Sequence, residues 1–163
     1  MSIEDDIAIL DRVPTLTLLG REALRIIAIS AESRVVRGGD ILFREGQTAD
    51  SAYVVTSGAF ALTQEHPGRR RDARPSSFGP GTLIGELALF TETRRPVTAT
   101  ATELSSVLRI PRSIFRRTLE SYPDAAGRLS RLVAQRLSET MGELDGVRRR
   151  LDAIKDPVRP ERG

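Results

Sequence analysis

The feature that most constrains this chain is a series of short alternating segments, each cut off by glycine, that begins at Ser33. Arg34-Val35-Val36-Arg37 ends at Gly38-Gly39, and Ile41-Leu42-Phe43-Arg44 ends at Gly46. Ala52-Tyr53-Val54-Val55 ends at Ser57-Gly58, and Ala59-Phe60-Ala61-Leu62 runs into His66-Pro67-Gly68. Short strands of even spacing, punctuated by glycine, predict an antiparallel sandwich or barrel. The basic stretch 67–77 has no apolar period and reads as a mobile connection. Phe78-Gly79-Pro80-Gly81 reads as a tight turn, and further strands are expected over Thr82 to Ile84, Val97 to Thr102 and Ser106 to Ile110.

Helical patterns lie on both sides of this series. Ser2 is a candidate N-cap for a helix over 2–11, with acids in its first turn and Ile3, Ile7 and Leu10 on one face, and Pro14 ends it. A second helix is expected from Arg21 to Ser30, with Leu24, Ile27, Ala28 and Ala31 inward. A third starts at Pro111 and Arg112 and runs through Ile114, Phe115 and Leu119. Pro123 starts the last and longest. There Val133, Leu137, Leu144, Val147, Leu151 and Ile154 take heptad a and d positions, with Thr140 the polar exception. Glu143 at g and Arg148 at the following e suit a parallel dimer, although Gly142 and Gly146 each cost about 1 kcal/mol of helix stability. The alternative is that part of this stripe packs on the sheet.

The fold class is therefore α+β: an antiparallel β-sandwich or jelly-roll barrel flanked by N-terminal helices and a long C-terminal helix. The expected organisation is a domain over 1–122, the long helix over 123–155 and a tail over 156–163.

Composition removes several functions. The chain has 163 residues, enough for one domain with a real core, and no apolar run approaches the ~20 residues of a membrane span. It has no cysteine, hence no disulfide or thiol metal site, and no charged-then-apolar leader, so a cytoplasmic location is expected. The net charge of +3 gathers at Arg69, Arg70, Arg71 and Arg74 and again at Arg148, Arg149 and Arg150. Aromatics are scarce and tryptophan is absent, so no base-stacking platform is in view and DNA is not the expected partner. No carboxylate pair, nucleophile-base constellation or metal-ligand spacing stands out, and His66 reads as a solvated imidazole; neither catalysis nor a metal or cofactor is expected.

Function is expected in the stretch from Leu83 to Ala99. Gly85 lets the chain turn from strand to helix and approach a ligand closely. Glu86-Leu87-Ala88-Leu89 can form one helical turn whose free N–H groups attract an anion. Glu86 accepts only, so it suits the hydroxyls of a sugar rather than a phosphate. Arg95 can return across the turn to the anion through a charge-assisted contact, with Leu87, Leu89 and Val97 as apolar walls. One cyclic sugar-phosphate satisfies all of these groups.

Here the chain resembles the cyclic-nucleotide-binding domain of bacterial catabolite-activator-type regulators, the regulatory subunits of cyclic-AMP-dependent kinase and cyclic-nucleotide-gated channels. Gly85-Glu86-Leu87-Ala88-Leu89, followed by Arg95 and then Thr98, matches the family's phosphate-binding cassette without a gap. Phe43-Arg44-Glu45-Gly46, Ser57-Gly58 and Phe78-Gly79-Pro80-Gly81 fall at the expected strand ends, and the likeness extends to about residue 140. The resemblance implies that Gly85 and Glu86 bind the ribose 2′-hydroxyl and Arg95 the cyclic phosphate. It also implies that Leu87 and Ala88 offer backbone groups, and that the C-terminal helix closes over the base.

One position departs from the pattern. After the arginine the family usually has Ala, Ser or Thr, whose N–H also bonds the phosphate; Pro96 has none. Losing such a bond costs roughly 1.5–3 kcal/mol, on the order of 10- to 100-fold in affinity. Arg94 is the compensating group, adding a second positive charge or taking the phosphate if the loop shifts by one. Proline also lacks the threonine hydroxyl that meets guanine in cyclic-GMP-preferring members, so cyclic AMP is the expected ligand. The resulting site is Gly85, Glu86, Leu87, Ala88, Arg94, Arg95, Pro96, Val97 and Thr98.

The leading function is a sensor in which cyclic-nucleotide binding moves the C-terminal helix, with the chain as a homodimer through that helix and an effector protein unidentified. The alternatives are a ligand-independent interaction module with a degenerate pocket, and a transcription regulator acting through a partner, since the tail beyond Asp156 is too short for a helix-turn-helix domain.

Overall fold

The computed structural model describes residues 2–64 and 76–136. The chain opens with α1 (Ile3–Leu10), α2 (Pro14–Thr17) and α3 (Arg21–Ser30). The strands are β1 (Glu32–Val36), β2 (Ile41–Phe43), β3 (Thr48–Ala49), β4 (Ser51–Ser57), β5 (Phe60–Thr63), β6 (Ser76–Phe78), β7 (Leu83–Ile84), β8 (Thr93–Arg94), β9 (Thr98–Ala101) and β10 (Ser105–Pro111). A 3-10 turn, Glu86–Leu89, interrupts the strands, and α4 (Arg112–Ser121) follows them. A further helix runs over 123–136, where the described residues end.

Two four-stranded antiparallel sheets, ordered β1-β10-β4-β7 and β2-β9-β5-β6, form the sandwich, and β3 pairs with β8 in a separate two-stranded ladder. The expected α+β jelly roll is the fold observed. Between the sheets lie Val36, Phe43, Tyr53, Val55, Phe60, Ile84, Ala99, Ala101 and Val107. The first six residues of β4 are all buried, because the strand is covered on both faces. Tyr53 and Val55 point into the sandwich, while Ala52 and Val54 alternate to the other side, where α1 meets the strand. Buried Ile7, Leu10, Leu24, Ile27 and Phe115 give the helices their own apolar faces, and α3 packs with both α1 and α4.

Local chemistry accounts for the ends of α1. Ser2 Oγ accepts from the Asp5 N–H at 3.1 Å and the Asp5 carboxylate accepts from the Ser2 N–H at 3.3 Å, a reciprocal capping box. Ile3 departs from the expected face: it is 37% exposed, because capping holds it at the solvent end of the first turn while Ile7 and Leu10 are buried. Pro14 ends α1 and also opens α2, since its missing N–H costs nothing at the first position of a helix. Ala31 sits at the C-cap of α3 in extended conformation and is only half-buried.

Three strands were not anticipated. β3 and β8 are two residues each, too short to carry a period. β6 occupies the end of the segment expected to be a connection and reaches into the expected tight turn, because Ser76 to Phe78 complete the ladder with Leu62 to Phe60. The remainder of that connection, with His66 and the arginines at 69–71 and 74, lies outside the described residues, as do the heptad positions from Leu137 onward and the tail.

Candidate functional site

Strand β7 ends at Ile84, and Gly85 takes a left-handed conformation (φ 80°, ψ 34°) that admits glycine without strain. The next four residues form the expected turn, as a 3-10 rather than an α-helix, with the Ala88 N–H donating to Gly85 O at 3.1 Å and the Phe90 N–H to Leu87 O at 3.1 Å. The Ala88 N–H expected for a ligand is thus engaged within the turn. Ala88 and Leu89 are buried and anchor it, whereas Leu87 is 58% exposed at its rim.

Arg112, at the start of α4, ties this turn to its surroundings. Its Nη1 donates to Ala49 O at 3.2 Å, Ala88 O at 3.1 Å and Thr91 O at 2.9 Å. Carbonyls at the end of the turn have no partner within it, and the guanidinium satisfies them together with a carbonyl of β3. Sequence reasoning noticed Arg112 only as a helix start; nothing in its local spacing points to carbonyls 21–63 residues away.

Arg95 is placed by backbone and side chain alike. The Gly46 N–H donates to Arg95 O and the Arg95 N–H to Gln47 O, each at 2.8 Å. The residue is 5% exposed. Its guanidinium carbon lies 4.2 Å from the Phe43 ring centroid and 5.6 Å from that of Tyr53, and these two rings stack on each other at 5.9 Å. Its Nη2 donates to Ser51 O at 2.8 Å, while its Nη1 is buried with no hydrogen-bond partner among the described residues. A Cβ placed on Gly85 would stand 2.5 Å from that Nη1, so the bare amino group lies directly against the cassette glycine. Burial pulls the guanidinium below its ordinary value, opposed by the negative charge of Asp50. Buried charges are ordinarily paired, and aromatic faces supply only part of that compensation.

The Glu86 carboxylate accepts a hydrogen bond from the Thr15 hydroxyl of α2, a contact across 71 residues of sequence. Arg94, expected as the compensating cation, is exposed and donates its Nη1 to Gly46 O at 2.9 Å, which holds the group at the mouth of the β3–β8 ladder. Pro96 is exposed beside it. Thr98 is buried in β9 and its Oγ accepts from the Glu45 N–H at 2.9 Å, so it braces the strand-end loop at 44–46.

These groups surround a cavity of about 420 Å³, within the range of small-molecule sites. It is lined by Phe43, Ala49, Leu62, Ile84, Gly85, Glu86, Leu87, Ala88, Thr93, Arg94, Arg95, Pro96 and Val97. Eight of the nine expected residues are therefore brought together, and Thr98 is not among them. Leu89, expected as a wall, points into the core instead; Phe43 and Leu62, contributed by β2 and β5, take that place. Among the described residues no helix is long and apolar enough to cross a membrane.

Residues 33–122 match the family model described as the cyclic nucleotide-binding domain. A cyclic nucleotide-binding-like protein from Brucella abortus is 46% identical, with a TM-score of 0.63, over 71% of this chain and 98% of that one. The N-terminal domain of a transcriptional regulator from Streptomyces coelicolor is 33% identical, with a TM-score of 0.75, over 83% of this chain and 94% of that one. A lysophospholipase of Aspergillus fumigatus is 31% identical over 133 residues, which is 82% of this chain but 9% of that protein. The chain thus spans about a tenth of the length of the curated relatives it matches.

Proposed function

Because this chain belongs to the cyclic nucleotide-binding domain family, we propose that its cavity takes one cyclic nucleotide and reports it to the C-terminal helix. The observation that carries the proposal is the buried Arg95 Nη1, which has no hydrogen-bond partner among the described residues and stands at the cavity wall against Gly85. A cyclic phosphate oxygen accepts from that group and compensates the buried charge. The Glu86 carboxylate, an acceptor when ionised, takes the ribose 2′-hydroxyl. Phe43, Leu62 and Val97 offer apolar surface to the rest of the ligand. Pro96 supplies neither an N–H for the phosphate nor a hydroxyl for guanine, so cyclic AMP is preferred over cyclic GMP and bound weakly for a site of this kind.

Binding drives a response only if the ligand favours one position of the C-terminal helix over another. We assign that role to the helix beginning at 123 and infer a homodimer through its heptad face. The hydrolase activity of the lysophospholipase relatives is not carried to this chain, whose proposed role is regulatory.

Calorimetry tests the assignment. Wild type is expected to give saturable heat with cyclic AMP, less with cyclic GMP and none with either when Arg95 is replaced by Met. Wild-type titrations flat to high micromolar ligand would discard the sensor and favour a ligand-independent interaction module, the alternative that Pro96 supports.

A further inference from the structure

The Thr15–Glu86 contact joins two parts of the chain that the cassette alone does not explain. Thr15 is 2% exposed and sits in α2, between Pro14 at the first helical position and fully buried Leu16. Its hydroxyl donates to Glu86 Oε2. Glu86 is the first residue of the 3-10 turn and lines the cavity. Its backbone is fixed by left-handed Gly85 on one side and buried Ala88 on the other, but a glutamate side chain retains rotatable bonds of its own. Threonine is branched at Cβ and stiff about χ1, and its hydroxyl is a donor that a carboxylate binds through a short, charge-assisted bond. A buried, rotamer-restricted donor on one carboxylate oxygen therefore sets the direction of the other acceptor positions, of which a carboxylate has about four.

We propose that Thr15 is a positioning residue for ligand selection: it holds the Glu86 carboxylate in the orientation that accepts a ribose 2′-hydroxyl, so that discrimination for ribose over deoxyribose depends on α2. The proposal rests on the cyclic-nucleotide reading of the cavity. It places part of the site's specificity in a four-residue helix that does not line the cavity. A misdirected acceptor loses most of its value, because hydrogen bonds weaken steeply with angle.

The test compares cyclic AMP with 2′-deoxy cyclic AMP by calorimetry on the wild type and on Thr15→Val, which keeps the shape and removes the hydroxyl. Wild type is expected to prefer cyclic AMP by about tenfold or more, as a hydrogen bond to a charged group does. In Thr15→Val that ratio falls several-fold toward unity, mainly through weaker cyclic AMP binding, while the deoxy ligand binds as in wild type. Thr15→Ser, which restores the donor, keeps the wild-type ratio. A purely structural role for Thr15 would weaken both ligands together and leave the ratio unchanged. That result, a ratio that rises, or a Thr15→Ser ratio that collapses like that of Thr15→Val, overturns the proposal. If Thr15→Val does not fold, Thr15→Ala is the second hydroxyl-less variant and is read in the same way. Wild type binding neither ligand would instead remove the cyclic-nucleotide reading itself, and the positioning role with it.

Discussion

Gly85 and Arg95 are made for each other: the left-handed glycine leaves open the space into which the arginine Nη1 projects, and a Cβ there would come within 2.5 Å of it. The cassette turn and its cation are thus one packing unit.

Gly85→Ala tests that unit. The substitution forces a side chain into a backbone region costing roughly 1–3 kcal/mol and pushes the guanidinium from its place. Denaturant melts are expected to show a loss of that order, and calorimetry a loss of cyclic AMP binding of at least tenfold.

Arg95→Met separates binding from stability. The variant gives up a hydrogen bond to Ser51 O and the stack on Phe43, but it also removes a buried charge whose Nη1 has no hydrogen-bond partner among the described residues. The unliganded variant is expected to match wild type within about 1 kcal/mol. Ligand at a hundred times its dissociation constant adds about 2.7 kcal/mol to a binding-competent protein, and Arg95→Met is expected to show none of that gain in a thermal melt.

Arg112→Ala removes one guanidinium from three carbonyls on β3 and the cassette. Charge-assisted bonds of this sort contribute roughly 1.5–3 kcal/mol, and because they share one nitrogen a loss near the upper end is expected in urea melts. Arg112→Lys, a point charge without the planar fork, recovers only part of it.

The jelly roll was readable because glycine-punctuated strands and helix-start residues advertise themselves locally; Ser2 and Pro111 both mark helix starts where expected. The placement of Gly85, Glu86 and Arg95 on one cavity wall was readable for the same reason, since the turn and the arginine that follows it depend on residue type and short spacing. What escaped is tertiary. Thr15 meets Glu86 across 71 residues, Phe43 and Leu62 reach the cavity from other strands, and the β3–β8 ladder is two residues deep. The same alternation that predicted β9 could not say which side Thr98 faces; Ala99 and Ala101 turn into the sandwich core, which leaves Thr98 on the other face, where it accepts from the Glu45 N–H.

The dimer is tested by Leu144→Asp, which puts a charge on the heptad seam read from the sequence. Sedimentation is expected to show a dimeric wild type and a monomeric variant. Equal sizes for the two would remove that seam, and a monomeric wild type would remove self-association.

The most direct measurement is an experimental structure of the chain with cyclic AMP. It is expected to place a cyclic phosphate oxygen about 2.7–2.9 Å from Arg95 Nη1 and the ribose 2′-hydroxyl on Glu86. Ligand density elsewhere, or a cavity still empty at saturating cyclic AMP with Arg95 Nη1 as bare as before, would contradict the assignment.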